Sequence, residues 1–476
     1  MISKVINHFL LEETEMKVVI INTPLFREKN VLYDEDSLPP IGLGHIATML
    51  HNDGIDVELI DAVHQRIPLA DLILTINALK PDFVASNIFT TNYELVKDLF
   101  EGINFRTHFI IGGLSTKQLY KDIMNWVTNN EIDVVTGDGE LITLDIVKNQ
   151  LKEPPFHAEG NKRVFLVDGK SKYEVKDISI VPLDRSFFLN EPVLHPLGFT
   201  EANIVTSRGC VYNCAFCAAA RSLNKDYSIR EKSETSIIQE LNDILGSYPD
   251  VNSIRVLDDL FLKSNITVQK AINVFSNFNL CWRSMAHVMT FNNVDDTIMN
   301  DLKASGCYEL FIGIESGSPK ILAEINKTKN VDVIIANLTK VLKAGINIKG
   351  YFIYGFPGET QQDMEMTFKL ANILKEIAIN YGVNFRTSVF QYRPYHGTQI
   401  YHDLEVKGNN LRVQQVQPNQ DLSGLVGRLQ FNFHSGNYSK VDDNLLHDYI
   451  YRTINLNDGK IFAGLESKNK ALPESM

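Results

Sequence analysis

Twice along this chain, short apolar runs alternate with helical stripes, and that repeated alternation constrains the fold more than any other feature. The run at 18–21 is apolar on both faces, as in a buried parallel strand. Leu43, Ile46, Ala47 and Leu50 then fall at i, i+3, i+4 and i+7, one face of a helix that Gly54 would stop. Further strands are expected at 55–60, 82–86, 109–111 and 132–135. Residues 16–150 therefore predict a doubly wound α/β sheet, whose ligands bind beyond the strand C-termini. The run 163–167 followed by Asp168 and Gly169 predicts a hairpin with an Asp-Gly turn. Residues 200–400 repeat the alternation, with strands at 203–207, 253–257, 281–286, 309–313, 350–354 and 388–392. The clearest helix among them spans 234–245, where Ser233 can cap it.

Cys210, Cys214 and Cys217 fall within eight residues. Three thiolates so spaced can grip one compact metal centre and leave it one ligand short. An iron–sulfur cube is ordinarily held by four cysteines, one per iron, so three leave one iron open. Three other readings compete. A structural zinc wants four closed ligands, a two-cysteine redox pair leaves Cys210 unexplained, and free cysteines also pack as small hydrophobes. Only Cys281 and Cys307 remain, and neither forms a second C-x-x-C pair. Five cysteines in 476 residues are no disulfide scaffold; with cluster ligands among them they imply a reducing, cytoplasmic compartment. The formal charge of −12 argues against a broad nucleic-acid footprint. No apolar run approaches the ~20 residues of a membrane span, and residues 1–15 read as a short extension rather than a signal peptide.

The strand, Arg208-Gly209 turn and Phe216 that surround the triplet resemble the signature of the radical S-adenosylmethionine (SAM) enzymes. That resemblance implies a partial (β/α)6, TIM-like barrel over 201–400. It also implies a [4Fe–4S] cluster on Cys210, Cys214 and Cys217, with SAM on the open iron. The implied SAM contacts are Asp258 after the second barrel strand, Glu315 and Ser316 after the fourth, and Gly355 and Pro357 after the fifth. Phe216 adds an aromatic surface near adenine. Arg283 in the third strand, and Tyr395 and His396 after the sixth, are candidate substrate contacts.

Upstream, Pro24, Leu43, Gly112, Gly113, Gly137 and Glu140 sit in segments that resemble the cobalamin-binding domain preceding many radical SAM cores. The resemblance covers residues 16–150 and implies a Rossmann-like B12-binding domain with those residues at the cobalamin. The histidine motif D-x-H-x-x-G of other cobalamin proteins is missing. Asp61 and His64 have the wrong spacing for it, so His64 reads as a loop residue. Methylthiotransferases carry three further cysteines in their N-terminal domain; none precedes Cys210 here.

The expected organisation is an extension at 1–15, a cobalamin domain at 16–150, a connector at 151–200, the radical SAM core at 201–400 and a C-terminal cap at 401–476 over the barrel mouth. The activity this implies is methylation of an unactivated carbon of a small biosynthetic intermediate, or of a peptide. A flavodoxin or ferredoxin would donate electrons, and no nucleic acid or membrane would be involved. Two alternatives stay open: a non-methylating radical cyclisation or rearrangement with the same cofactors, and a cobalamin-binding sensor with a vestigial core.

Overall fold

The computed structural model describes residues 16–24, 38–194, 198–409, 411, 414–415, 433–434 and 436–457. The N-terminal half is built on β1 (Lys17–Asn22), β2 (Asp56–Asp61), β3 (Phe83–Asn87), β4 (His108–Gly112), β5 (Glu131–Gly137), β6 (His157–Glu159) and β7 (Lys162–Val167). Their order is β2-β1-β3-β4-β5-β7-β6, parallel throughout except for β6. Alternate residues of the apolar runs serve two separate cores. Val19, Ile21, Val84, Phe109 and Ile111 face one helical layer, and Val18, Ile20, Ala85, Ile110 and Val135 face the other. A strand buried on both faces has no polar alternation, which is why these runs read as continuous.

The hairpin lies earlier than its sequence suggests. β6 and β7 are joined at Gly160 and Asn161, and Gly160 takes a positive φ of 59°. After Val167 the chain does turn at Asp168, but the following residues bury Tyr173 in the core instead of pairing as a strand. The segment expected as a connector thus adds two strands to the first sheet.

The second sheet holds β8 (Val193–Leu194), β9 (Thr200–Ile204), β12 (Ser253–Val256), β13 (Cys281–Ala286), β14 (Cys307–Glu315), β15 (Asn347–Tyr354) and β16 (Phe385–Gln391), with β10 (Ser207–Arg208) and β11 (Arg230–Glu231) forming a separate two-stranded ribbon. The order β16-β15-β14-β13-β12-β9-β8 places six parallel strands side by side in chain order, and among the described residues the two edge strands do not pair with each other, as in a curled, partial barrel. Ile254, Trp282, Leu310, Ile312 and Ile348 pack under the covering helices. The opposite face carries charge. Arg283 donates to Glu201 at 2.9 Å, and Arg386 binds both oxygens of Glu309 at 2.6 Å. Ser233 caps the helix Glu234–Ser247 by accepting from the Ser236 N–H.

The described part of the tail lies against the segments that follow the last two barrel strands: the Gly358 N–H donates to the Tyr438 carbonyl at 3.3 Å, and the Lys440 N–H donates to the Glu359 carbonyl at 2.8 Å. The helix Asp443–Ile454 packs on β15, β16 and the helix Gln361–Asn380, with Leu446 and Ile450 joining the core beneath the outer helices. Residues 1–15 and much of the expected cap at 401–476 lie outside the described residues. Among the described residues no helix is long and apolar enough to cross a membrane.

Candidate active site

The C-terminal edges of the two sheets face each other across a cavity of about 520 Å³. Its floor is the end of the first sheet, with Ile20, Ala85, Ile110 and Val135, and its roof includes Val205, Gly209, Cys210 and Asp259 just beyond barrel strands. Leu43, Gly112, Gly113, Gly137 and Glu140 all line it; Pro24 is buried at the end of β1 and is not part of its wall. Gly137 has a φ of 101°, and a Cβ there would stand 2.1 Å from the Val167 carbonyl oxygen. Gly112 differs, because a Cβ built on it meets nothing within 4 Å. Two buried polar atoms of the lining residues, Asn87 Oδ1 and Glu140 Oε2, have no hydrogen-bond partner among the described residues. An apolar floor with room over Gly112 and unmatched polar atoms at its margin fits a flat macrocycle fringed with carboxamides, as cobalamin is.

Ion pairs close one side of this chamber and join the two halves of the chain. Arg208 reaches Asp138 at 3.0 Å and also pairs with Glu140, while Arg230 pairs with Asp138 and donates to the Val175 carbonyl at 2.7 Å. Glu140 is therefore held by an arginine of the barrel half; its second oxygen is buried without a partner.

The cysteine loop begins where β9 ends. Asp258 fixes that point: it accepts from the Thr206 N–H, the Thr206 hydroxyl and the Ser207 hydroxyl, each at 2.6 Å. The β10–β11 ribbon ties the base of the loop, and Arg221 N–H donates to the Tyr212 carbonyl across it. The three cysteines are free and half-buried. Burial raises all three thiols, and burial together with the charges of Cys214 and Cys210 brings Cys217 to about 12. Three mutually repelling thiolates within electrostatic reach need a positively charged core between them. Among the described residues, no three His, Cys, Asp or Glu side chains converge as a single-ion site.

The remaining candidates divide into those that face this region and those that do not. Asp258 is buried beneath the loop, whereas its neighbour Asp259 lines the chamber and accepts from the Gly209 N–H at 3.2 Å. Its side chain is exposed to the chamber. Glu315 ends β14 at a register shift with a φ of 67°, and pairs with Lys327 at 3.1 Å. Ser316 is fully buried; its hydroxyl meets Thr367 at 2.9 Å and accepts from the Ser318 N–H. The Gly355 and Phe356 N–H groups both donate to Glu359, whose carboxyl burial raises to about 8. Phe216 meets Phe356 edge-on at 5.8 Å, which ties the cysteine loop to the segment containing Pro357. Tyr395 is half-buried in the segment after β16 and is not part of the chamber wall. His396 meets Thr90 of the first half through Nδ1 at 3.0 Å. Arg283 is wholly buried among Glu201 and Glu309. Asp259, Lys327, Glu359, Asn87 and Tyr227 were not singled out from sequence. Only Asp259 carried a signal there, as the second member of an acidic pair after a strand.

Comparison with known proteins joins the two halves. The sequence model of the radical SAM superfamily matches residues 204–371, and that of the B12 binding domain matches residues 31–147. An uncharacterized methyltransferase of Pyrococcus horikoshii is 27% identical over 376 residues, covering 76% of this chain and 78% of the relative. The structure of the radical SAM methyltransferase TsrM from Kitasatospora setae, with tryptophan and a SAM analogue bound, aligns with a TM-score of 0.63 at 15% identity, over 93% of this chain and 89% of that one. The cobalamin-dependent radical enzyme OxsB, with aqua-cobalamin and SAM bound, aligns with a TM-score of 0.62 at 15% identity; 91% of this chain is covered, but only 66% of that one. At such identity these likenesses show the fold. The chain thus carries a radical SAM domain, which implies a [4Fe–4S] cluster and SAM, and a B12-binding domain, which implies cobalamin, on a fold shared with cobalamin-dependent radical SAM structures.

Proposed function

We propose that this protein is a methyltransferase that places a methyl group on an unactivated carbon of a small biosynthetic intermediate. The observation that carries this reading is the single chamber shared by the ligand edge of the B12 domain and the cysteine loop. When bound, the cluster supplies an electron that cleaves SAM to a hydrogen-abstracting radical, and cobalamin supplies the methyl group. Cys210, Cys214 and Cys217 hold the cluster. Asp259 meets the SAM ammonium, a charge-assisted contact for which a chamber-facing carboxylate is apt. Glu315 receives the polar part of SAM, and Phe356 with Pro357 flanks its adenine. Gly42, Gly112, Asn87 and Tyr227 receive the corrin, since a Cβ on either glycine would enter the space a macrocycle needs. The apolar floor excludes water from a radical reaction that needs no general base. A cytoplasmic flavodoxin or ferredoxin is the electron donor of this reading. The Pyrococcus relative, named a methyltransferase, supports the choice of outcome.

Anaerobic assays of the reconstituted protein with SAM, cobalamin, reductant and candidate substrates test it. Both 5′-deoxyadenosine and S-adenosylhomocysteine should form in a substrate-dependent way, and Cys214→Ala should abolish both. Deoxyadenosine without substrate-dependent S-adenosylhomocysteine would mean that no methyl group is transferred.

A further inference from the structure

Lys327 sits where an unpaired cation would be hard to explain. Its side chain is 8% exposed, and its ammonium is held by Glu315 at 3.1 Å and by the Gly313 carbonyl at 3.0 Å. The turn that carries it is docked on the cysteine loop at both sides of one ligand. Asn326, at a φ of 59°, donates from its side chain to the Asn213 carbonyl at 3.0 Å, and the Ala215 N–H donates to the Ile325 carbonyl at 3.1 Å. Asn213 and Ala215 flank Cys214. The partner carboxylate is equally constrained. Glu315 takes a left-handed backbone, a strained conformation for a non-glycine residue, and a Cβ on Gly313 would stand 2.3 Å from its Oε1. Both charges are thus fixed in position, at some cost to the backbone, next to the cluster ligands.

We infer that the Lys327–Glu315 pair is a built-in electrostatic control on the cluster, in which the fixed ammonium stabilises the added electron and the fixed carboxylate opposes it. The step concerned is the uptake of one electron by the cluster from an external donor, with no bond made or broken. Cluster potentials respond to nearby charge and to solvent exposure, and a charge shielded from water acts more strongly than one at the surface. The turn that carries Lys327 abuts the loop on both sides of Cys214 through the Asn326 and Ile325 contacts, so its ammonium is held beside that ligand. Lys327 is a positioning residue in this account, since its effect on SAM passes through the cluster and Glu315.

The inference rests on the cluster reading, and one experiment separates the two. Anaerobically reconstituted full-length protein is titrated with reductant and followed by EPR, for wild type, Lys327→Gln, Lys327→Arg, Glu315→Gln and the double Gln variant, with iron content measured in each. A wild-type protein without an EPR-active reduced cluster would overturn the cluster reading itself. Given that cluster, Lys327→Gln should lower the midpoint potential, Glu315→Gln should raise it, the double variant should fall between them, and Lys327→Arg should stay near wild type. Shifts of opposite sign are the mark of charge, because a merely structural role would move both variants the same way or neither. Should Lys327→Gln fail to hold a cluster, Glu315→Gln decides alone: an unchanged or lowered potential overturns the inference.

Discussion

Asp258 and Asp259 follow one another in sequence and face opposite ways. The three short hydrogen bonds that Asp258 accepts from Thr206 and Ser207 make it part of the foundation of the cysteine loop. Asp258→Ala leaves a buried N–H and two hydroxyls without their acceptor. It should lower stability in urea by about 1–3 kcal/mol and reduce iron retention. Asp259→Asn should leave the urea midpoint unchanged and weaken SAM binding, read by equilibrium dialysis, by about tenfold, the size of one charge-assisted hydrogen bond. Full-strength SAM binding in Asp259→Asn would remove that residue from the SAM site. The acidic doublet is plain in the sequence, yet which member turns toward the chamber is not, since successive residues at a strand end point to opposite sides. Lys327 is harder still to read. It lies in an ordinary polar stretch, Asn326 to Lys329, and only the tertiary fold brings it to Glu315 and Cys214.

At the scale of elements, the two glycines at the ends of β4 and β5 separate conformational need from ligand room. Gly137→Ala puts a methyl group against the Val167 carbonyl at a left-handed backbone position. It should destabilise the apoprotein by more than ~1 kcal/mol in thermal or urea unfolding. Gly112→Ala adds a methyl group to open space, so it should stay within ~0.5 kcal/mol of wild type while weakening cobalamin binding in an absorbance titration. Equal effects of the two on unfolding would contradict this division. The strands themselves are legible in sequence because parallel strands buried on both faces must be continuously apolar. The hairpin register is not, because Gly160-Asn161 and Asp168-Gly169 are both acceptable turns and only the pairing with β5 chooses between them. The tail helix likewise reads as a helix, but its resting place depends on Tyr354, Leu446 and Thr453 meeting across the fold. The buried lattice of Arg283, Glu201, Glu309 and Arg386 shares that obscurity, being gathered from four different strands. Sequence gives Arg283 as a lone charge in a strand, which is why it reads there as a substrate contact.

Across the whole molecule, the decisive arrangement is that two open parallel sheets present their C-terminal edges to one space. Each edge is where its own architecture binds ligands, so facing them together brings two cofactor sites within reach of one substrate. The Arg208 and Arg230 pairs with Asp138 and Glu140 hold the edges in register across the chamber. Charge pairs of this kind, largely withdrawn from water, fix geometry more than they add stability. The account stands on a cluster held by Cys210, Cys214 and Cys217 with one iron open to SAM. EPR of the reduced, reconstituted protein before and after SAM is added tests this directly, in samples holding about four irons per chain. The cluster signal should change shape on addition of SAM and should be missing from Cys214→Ala. A signal that SAM leaves untouched would contradict the account.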